Sequence, residues 1–409
     1  MAGSSGGSSN QSPAPPPPKI LLAKPGLVTG RSNTGQLGRG SGAADDEATA
    51  LRNRLPAIGS LNLVSENWEF HADRFLPFLT ENTDFTVVGV IGPTGVGKST
   101  IMNEIYGFDG SSPGMLPPFS VQTEDIRIAS RHCTNGVEPR ISSERIILLD
   151  TQPLFSPSTL SEMIRPEGSS TISVLSGESL TAELAHELMA IQLGVFLTSV
   201  CHILLVVSEG VHDLSMWRFM STVDLLKHGI PDPSSNFPHS LSSLGLDMGN
   251  KEKTYMSGDE YMAAPIFVHT KVQQLCSHTT GQLKKALVKY FKSSTFIKAN
   301  SENQSNIALA PTEASISLKD HSSDSAQLNL YTIPLKLKND SISSQHASYH
   351  SMLQKLCDKV LSMNTPSFSK TVSERDWLKN SAKIWEIVKK SSIVAEYAKT
   401  LQTSAAFRK

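Results

Sequence analysis

Apolar residues in this chain form short continuous runs that alternate with segments of helical periodicity. Runs with the length and content of buried strands lie at 85–91, 145–150, 200–207, 265–269 and 328–333. Helical spacing is found at 66–79, where Pro77 should end or kink the helix, and at 100–106, 179–197, 214–226 and 283–291. Apolar strands alternating with helices predict an α/β fold with a mostly parallel sheet and helices on both faces.

The C-terminal region has a helical pattern throughout. Apolar residues recur at helical spacing over 349–363, Pro366 then interrupts the chain, and a second helix is predicted to start at a capping box at Ser373. The apolar stripe of this second helix consists of Trp377, Ile384, Trp385, Val388 and Ala395. The stripe either packs against its own domain or, because it carries two tryptophans, forms a partner surface.

The chain divides into three parts by composition. We predict a disordered Gly/Ser/Pro-rich arm at 1–59, a nucleotide-binding domain at 60–364 and a C-terminal helical extension at 365–409. Polar, Ser-rich sequence places loop inserts in the domain near 230–264 and 293–326. An apolar island at 20–25 interrupts the arm. It is either a few stray aliphatic residues in a featureless tail or a short docking segment that orders on a partner.

Charge and cysteine content exclude several classes of protein. The net charge is −1, from 37 basic and 38 acidic residues, which gives no basic footprint for nucleic acid or membrane. The four cysteines are scattered and suit a reducing compartment. The longest apolar run, 200–207, is too short to cross a bilayer. We therefore expect a soluble cytoplasmic protein, with the nucleus as a second possible compartment.

A phosphate-binding loop is the clearest chemical motif in the sequence. Residues 92–99 match G-x-x-x-x-G-K-[ST] in full, between a predicted strand and a predicted helix that Gly107 ends. The alternative is a chance glycine-rich turn before a helix. The residues predicted to bind phosphate are Gly92, Pro93, Thr94, Gly95, Val96, Gly97, Lys98, Ser99 and Thr100.

The chemistry of this loop predicts a nucleotide with its magnesium ion. The glycines let backbone N–H groups point at phosphate oxygens, and Lys98 reaches the β- and γ-phosphates. Ser99 is predicted to bind Mg²⁺ together with Asp150, at the end of a strand, and Thr134, in the loop before that strand. A turn-capping carboxylate and an ordinary loop threonine are the alternatives for the last two. The expected ligand is a purine nucleoside triphosphate or diphosphate, GTP or ATP, with Mg²⁺.

The segment after Asp150 lacks the residues that sense and cut the terminal phosphate. In G-domains a D-x-x-G segment donates a glycine amide to the γ-phosphate, but here Pro153 stands at that position and has no N–H. Leu154 stands where efficient G-domains carry the glutamine that orients water. The sequence therefore predicts weak hydrolysis or none, and no catalytic residue is assigned.

Base recognition also departs from the guanine-reading N-K-x-D pattern. The corresponding strand ends in Thr270, Lys271, Val272 and Gln273. Lys271 can lie along a base, but the neutral Gln273 does not accept from guanine as an aspartate does. We assign Thr270 and Lys271 to the base site and expect weak guanine selectivity, with adenine as a possible base. A plain loop at the strand end is the alternative.

Three segments carry further motifs. These are Leu149-Asp150-Thr151-Gln152-Pro153, then Val200-Cys201-His202 with Asp213-Leu214-Ser215, and Ala382-Lys383-Ile384-Trp385 with Lys390-Ser391-Ser392. In these motifs the chain resembles the family of the ninth SMG protein of nonsense-mediated mRNA decay. The resemblance covers about 62–402 apart from the two Ser-rich inserts.

The resemblance implies a G-domain-like fold with a regulatory role. It implies a heterodimer with the eighth SMG protein and docking onto the phosphatidylinositol-3-kinase-related kinase of the pathway. Gly92, Gly95, Gly97, Lys98 and Ser99 match the nucleotide site of the family. Family members often keep an asparagine before the lysine of the base loop, and Thr270 departs from that pattern.

Two main interpretations remain, and a third is disfavoured. The first is a nucleotide-binding, catalytically poor G-domain-like subunit that regulates and scaffolds the kinase complex, with no direct nucleic-acid or membrane partner. The second is a self-contained GTPase or ATPase with slow hydrolysis, which Lys98, Ser99 and Asp150 favour. A P-loop small-molecule kinase would need an arginine-rich lid, which the Ser-rich inserts do not supply. No H-E-x-x-H, G-x-S-x-G or zinc-ligand spacing is present.

Overall fold

A computed structural model describes residues 61–109, 115–164, 174, 180–235, 261–273, 277–297, 328–336 and 348–404. The predicted N-terminal arm, its apolar island and most of both predicted inserts lie outside these residues. Within the part of the chain that is described, no helix combines the length and apolarity needed to cross a membrane.

A six-stranded sheet forms the centre of the molecule. In chain order the strands are β1 (Thr86–Ile91), β2 (Val137–Ile141), β3 (Ile146–Thr151), β4 (Ile203–Glu209), β5 (Ala264–Val272) and β6 (Asn329–Pro334). Their order in the sheet is β2-β3-β1-β4-β5-β6. The edge strand β2 pairs antiparallel with β3, and the other four pairings are parallel. The predicted mostly parallel sheet is confirmed.

Helices cover both faces of this sheet. They are α1 (Ala72–Phe75), α2 (Lys98–Tyr106), α3 (Glu124–Ile128), α4 (Pro157–Ile164), α5 (Ala182–Val200), α6 (Ser215–Leu226), α7 (Ser277–Tyr290), α8 (Tyr349–Ser362), α9 (Glu374–Lys389) and α10 (Ser392–Thr403). One face of β1 packs in a core with α5, α6 and α9. The other face packs with α2 and α8. The structure confirms the predicted class, a P-loop G-domain-like α/β fold.

The strand β2 and the short helices α3 and α4 were missed in the sequence. Five residues with Glu138, Pro139 and Arg140 in the middle do not form an apolar run. Proline is tolerated here because β2 lies at the edge of the sheet, and among the described residues Pro139 is paired on the β3 side alone. The helices α3 and α4 have five and eight residues, which is too short for a clear periodic signal.

The predicted helix at 66–79 is wrong for most of its length. A helical turn covers 72–75, and Pro77 lies in a 3₁₀ turn at 76–78. Before it, Val64 bridges both Phe70 and Val137, which holds the chain in an extended turn. The apolar residues of this segment nevertheless face the core. Burial was therefore predicted correctly, whereas the backbone follows the pairing with β2.

The tryptophan stripe of the C-terminal region packs against its own domain. Trp377 and Trp385 are fully buried, and the indole N–H of Trp377 donates to the carbonyl of Val200 at 2.9 Å. Trp385 lies edge-on to Trp68, with ring centroids 5.1 Å apart. The predicted single helix is in fact two, because the Ser391 side chain caps a new helix by accepting from the Val394 amide.

Candidate functional site

The loop 92–99 joins the carboxyl end of β1 to the start of α2. Gly97 caps α2 in a left-handed conformation, with φ of 95°, which side-chain-bearing residues rarely adopt. Gly92 passes so close to β4 that an added Cβ would lie 2.2 Å from the Val207 carbonyl oxygen. The first N–H groups of α2 have no partner within the helix, so this turn presents donors to an anion.

A cavity of about 320 Å³ lies over this loop. Most of the predicted site residues line it, namely Thr94, Gly95, Val96, Gly97, Lys98, Ser99, Thr100, Thr134, Thr270 and Lys271. Gly92 and Pro93 lie at its back, where their carbonyls accept from Lys98. Asp150 lies behind Ser99. The structure therefore brings the sequence-predicted phosphate, metal and base residues to one place.

Lys98 is held by the loop that it belongs to. Its ammonium donates to the carbonyls of Gly92 and Pro93, at 3.0 and 2.9 Å. Burial lowers the pKa of Lys98 to about 8, and the nearby Asp150 carboxylate opposes that change. A polyphosphate in the cavity would favour the charged form of this lysine, because an adjacent anion stabilises an ammonium.

The three predicted metal ligands meet at Asp150. Its Oδ2 accepts from the hydroxyls of Ser99, at 2.7 Å, and of Thr134, at 2.9 Å. Its Oδ1 is buried and has no hydrogen-bond partner among the described residues. Burial raises the pKa of Asp150, while Lys98, the two hydroxyl donors and the Thr151 backbone amide act in the opposite direction.

This donor set fits Mg²⁺. The ion prefers oxygen ligands and keeps several waters, and two hydroxyls with one carboxylate meet that preference. The unpartnered Oδ1 of Asp150 supplies an acceptor for a metal-bound water. If Mg²⁺ binds, Ser99, Thr134 and Asp150 are the residues that would hold it.

The segment after Asp150 is fixed on both sides by hydrogen bonds. The Gln152 amide donates to the Gly136 carbonyl at 2.8 Å, and the Gly136 amide donates back to the Gln152 side chain at 3.0 Å. The Leu154 amide donates to the Gly92 carbonyl at 3.0 Å. Leu154 is 2% exposed and packs in the core. Pro153 lines the cavity without a donor, so this segment has no free amide for a phosphate.

The predicted base residues lie at the other end of the cavity. The Thr270 hydroxyl donates to the Val96 carbonyl at 2.8 Å, which ties the end of β5 to the phosphate loop. The Lys271 ammonium lies 2.8 Å from the Glu209 carboxylate, on a partly exposed surface. Gln273 is exposed.

Two walls of the cavity were missed by sequence reasoning. One is formed by Ile333, Pro334, Leu335 and Lys336 at the end of β6, together with Tyr349 at the start of α8. Since parallel strands end at the same edge, the position of β6 supplied a signal for that wall. The other is formed by Ser120, Val121, Gln122, Glu124, Arg127, His132 and Cys133. No motif marks this second wall.

Comparison with known proteins gives related chains across animals. No protein-family model matches the chain. "Nonsense-mediated mRNA decay factor SMG9" of Xenopus laevis is 30% identical over 397 residues, which cover 89% of this chain and 73% of that protein. The Xenopus tropicalis protein of the same name is 29% identical over 398 residues, with the same two coverages. "Protein SMG9" of Drosophila melanogaster is 29% identical over 201 residues, or 46% of this chain and 36% of that protein.

Among solved structures, the septin GTPase domain from Chlamydomonas reinhardtii is similar at a TM-score of 0.26 and 8% identity. It covers 78% of this chain and 99% of the septin chain. This similarity is too weak for any conclusion.

Proposed function

This chain belongs to the SMG9 family of nonsense-mediated mRNA decay factors, and we propose that it is a nucleotide-binding, catalytically poor G-domain-like subunit of that pathway. In this proposal it regulates and scaffolds the phosphatidylinositol-3-kinase-related kinase complex. The single observation that carries it is the contrast within one cavity. A complete phosphate loop lies beside the segment 151–154, which has no backbone amide left to donate to the terminal phosphate of a nucleotide.

The phosphate loop supports nucleotide binding. The amides at the start of α2, the Lys98 ammonium and the oxygens around Asp150 are placed for phosphates and their cation. When bound, Mg²⁺ would neutralise phosphate charge and orient the phosphate chain. Gly97 and Lys98 then act on the phosphates through fixed backbone and side-chain donors.

The segment 151–154 supports weak hydrolysis. An efficient site needs a group that orients water and a donor that responds to the γ-phosphate. Pro153 supplies neither, and the Leu154 side chain is buried in the core. We therefore propose that nucleotide serves as a structural ligand that holds the loop and α2 in place.

The partners in the proposal come from family membership. We propose that the chain forms a heterodimer with the eighth SMG protein and docks onto the kinase, without direct contact to nucleic acid or membrane. The family name places the relatives in nonsense-mediated mRNA decay. The regulatory role agrees with a cavity that would bind nucleotide and has, among the described residues, no group placed to hydrolyse it.

The proposal is tested with the full chain and its Lys98→Ala variant. Calorimetry should give nucleotide binding for the unmodified chain and none for the variant, because Lys98 is the cationic side chain of the loop. Affinity purification from cells should recover the kinase, and added chain should change its activity on a peptide substrate. If the chain neither recovers the kinase nor alters that activity, the regulatory part of the proposal is wrong.

A slow GTPase or ATPase is the second candidate, and the meeting of Ser99, Thr134 and Asp150 favours it. A turnover assay with and without Mg²⁺ separates the two functions. Magnesium-dependent release of phosphate over many cycles supports the enzyme. Stoichiometric retention of nucleotide supports the structural ligand.

We leave the base open between guanine and adenine. Thr270 and Lys271 are the predicted base contacts and line the cavity, and the neutral Gln273 stands where guanine recognition needs a carboxylate acceptor. Mass spectrometry of the nucleotide released from purified protein gives the base and the number of phosphates together. A strict content of guanine nucleotide would contradict the expected weak guanine selectivity.

A further inference from the structure

A buried hydroxyl at the third position of the phosphate loop has no hydrogen-bond partner among the residues that the structure describes. Thr94 lines the cavity, and its Oγ1 is shielded from solvent without a hydrogen bond to any described residue. Most buried polar side-chain atoms in proteins are hydrogen-bonded, so an unpaired hydroxyl on a residue that lines a cavity indicates that a partner is missing. Phosphate oxygens are acceptors, and a threonine hydroxyl has a proton to donate.

The loop that contains Thr94 lies beside the segment 153–154, where Pro153 has no N–H to donate. Pro93 and Leu154 form a parallel bridge, closed by the hydrogen bond from the Leu154 amide to the Gly92 carbonyl. The chain at 153–154 therefore runs alongside the loop at 92–94. Both Thr94 and Pro153 line the cavity. Pro153, which lacks a donor, and Thr94, which has a spare donor, thus line one cavity from two segments that this bridge joins.

We propose that the Thr94 hydroxyl donates to the terminal phosphate of a bound nucleoside triphosphate and makes the cavity prefer triphosphate over diphosphate. This inference rests on the proposed nucleotide-binding function. Pro153 occupies the position from which a glycine amide would meet the terminal phosphate, and Thr94 lines the same cavity. The other phosphates have their own partners in Lys98 and the amides at the start of α2.

The consequence is recognition of the third phosphate without motion. In a switching G-domain the terminal phosphate is sensed by a loop that moves onto it. Here the donor belongs to the phosphate loop, which is joined to β1 and α2. The segment 151–154 can then keep all of its hydrogen bonds whether two or three phosphates are bound.

The test is calorimetry on the full chain with ATP, ADP, GTP and GDP in excess Mg²⁺. Thr94→Val keeps the branched shape and removes the hydroxyl, so it should weaken triphosphate binding by about tenfold, a typical effect for one hydrogen bond to a charged group. Diphosphate binding should be unchanged. Thr94→Ser, which keeps the donor, should retain the preference of the unmodified chain.

The outcomes are separable. If the unmodified chain binds nucleotide but Thr94→Val leaves the ratio of triphosphate to diphosphate affinity unchanged, the role of Thr94 is wrong while nucleotide binding stands. If Thr94→Val weakens both ligands equally, the hydroxyl supports the loop and not the terminal phosphate, and the inference is also overturned. If the unmodified chain binds none of the four nucleotides, the proposed function itself fails. Thermal unfolding of each variant confirms that the fold is intact.

Discussion

The amide of Leu154 donates a 3.0 Å hydrogen bond to the carbonyl of Gly92, which ties the segment after β3 directly to the phosphate loop. On its other side the same segment is bound to Gly136 through the backbone and side chain of Gln152. These hydrogen bonds occupy backbone amides that, in a mobile loop, would be free to donate to the ligand. The loop that we propose binds phosphate therefore has a neighbouring segment held in place by hydrogen bonds.

The first prediction concerns the rigidity of this segment. Because the amides of Gln152 and Leu154 are hydrogen-bonded to protein carbonyls, their protection should not depend on the third phosphate. Hydrogen exchange of the peptide 150–156 should be equal with diphosphate and with triphosphate bound. A clear gain of protection with triphosphate would show that the segment moves onto the ligand, contrary to this expectation.

The second prediction concerns the metal ligands. Asp150→Asn removes the negative charge from the group that both hydroxyls approach, so nucleotide binding should lose most of its dependence on Mg²⁺. Asp73→Asn, an exposed carboxylate on α1, is the matched control and should bind as the unmodified chain does. The measurement is nucleotide affinity over a range of Mg²⁺ concentrations. Equal Mg²⁺ dependence in all three proteins would rule out Asp150 as part of the ion site.

The third prediction concerns stability at low pH. His202 is buried with its Nδ1 accepting from the Val87 amide, and burial lowers the pKa of His202 to about 4. The unfolded chain takes up this proton near the ordinary histidine value of 6.5, and the folded chain does so near 4. The contribution of the neutral His202 to the free energy of unfolding is therefore complete above pH 6.5 and falls as the pH drops toward 4, by about 3 kcal/mol in total.

Urea unfolding at pH 7.5, 6 and 5 measures this slope. His202→Gln should flatten the decline of unfolding free energy with falling pH, whereas His350→Gln, at an exposed position on α8, should leave it as in the unmodified chain. The quantity compared between the proteins is the slope of unfolding free energy against pH, because His202→Gln also changes the absolute stability. An undiminished slope in His202→Gln would assign the acid sensitivity to other groups.

The fourth prediction concerns the C-terminal helices. Trp385 is fully buried between the rings of Trp68 and Phe196, so Trp385→Ala should lower the free energy of unfolding by about 3–5 kcal/mol. Leu361→Ala, at a half-exposed position on α8, should change it by less than about 0.5 kcal/mol. Chemical denaturation gives both values. A small effect of Trp385→Ala would mean that α9 is loosely attached.

Most of the sheet and the phosphate loop were predictable because their signals are local. Each of the five predicted strands is a nearly continuous apolar run, and the loop is a contiguous motif whose spacing sets its backbone. Asp150 was identified because it lies at the end of the next major strand, where G-domains carry the aspartate of the D-x-x-G segment. Thr134 was less certain in the sequence, and the structure places its hydroxyl 2.9 Å from the Asp150 carboxylate.

The rest depends on contacts between distant segments. Tyr349 was assigned to a helical stripe, and its place in the cavity follows from how α8 packs beside α2. The bond between Leu154 and Gly92 joins two backbone groups, so side-chain identity gives no sign of it. β2 has no apolar run because it is an edge strand, and it is built by pairing with β3 and Val64.

A single-turnover experiment tests the central claim most directly. The full chain is mixed with excess Mg²⁺ and a substoichiometric amount of nucleoside triphosphate labelled on its terminal phosphate. Bound triphosphate and released phosphate are then followed together. We expect the chain to hold intact triphosphate and to release phosphate more slowly than about 10⁻² s⁻¹, the rate of a G-domain that carries its own arginine and glutamine. Faster release, or no bound nucleotide at all, would contradict the claim that this site binds nucleotide but lacks the residues that hydrolyse it.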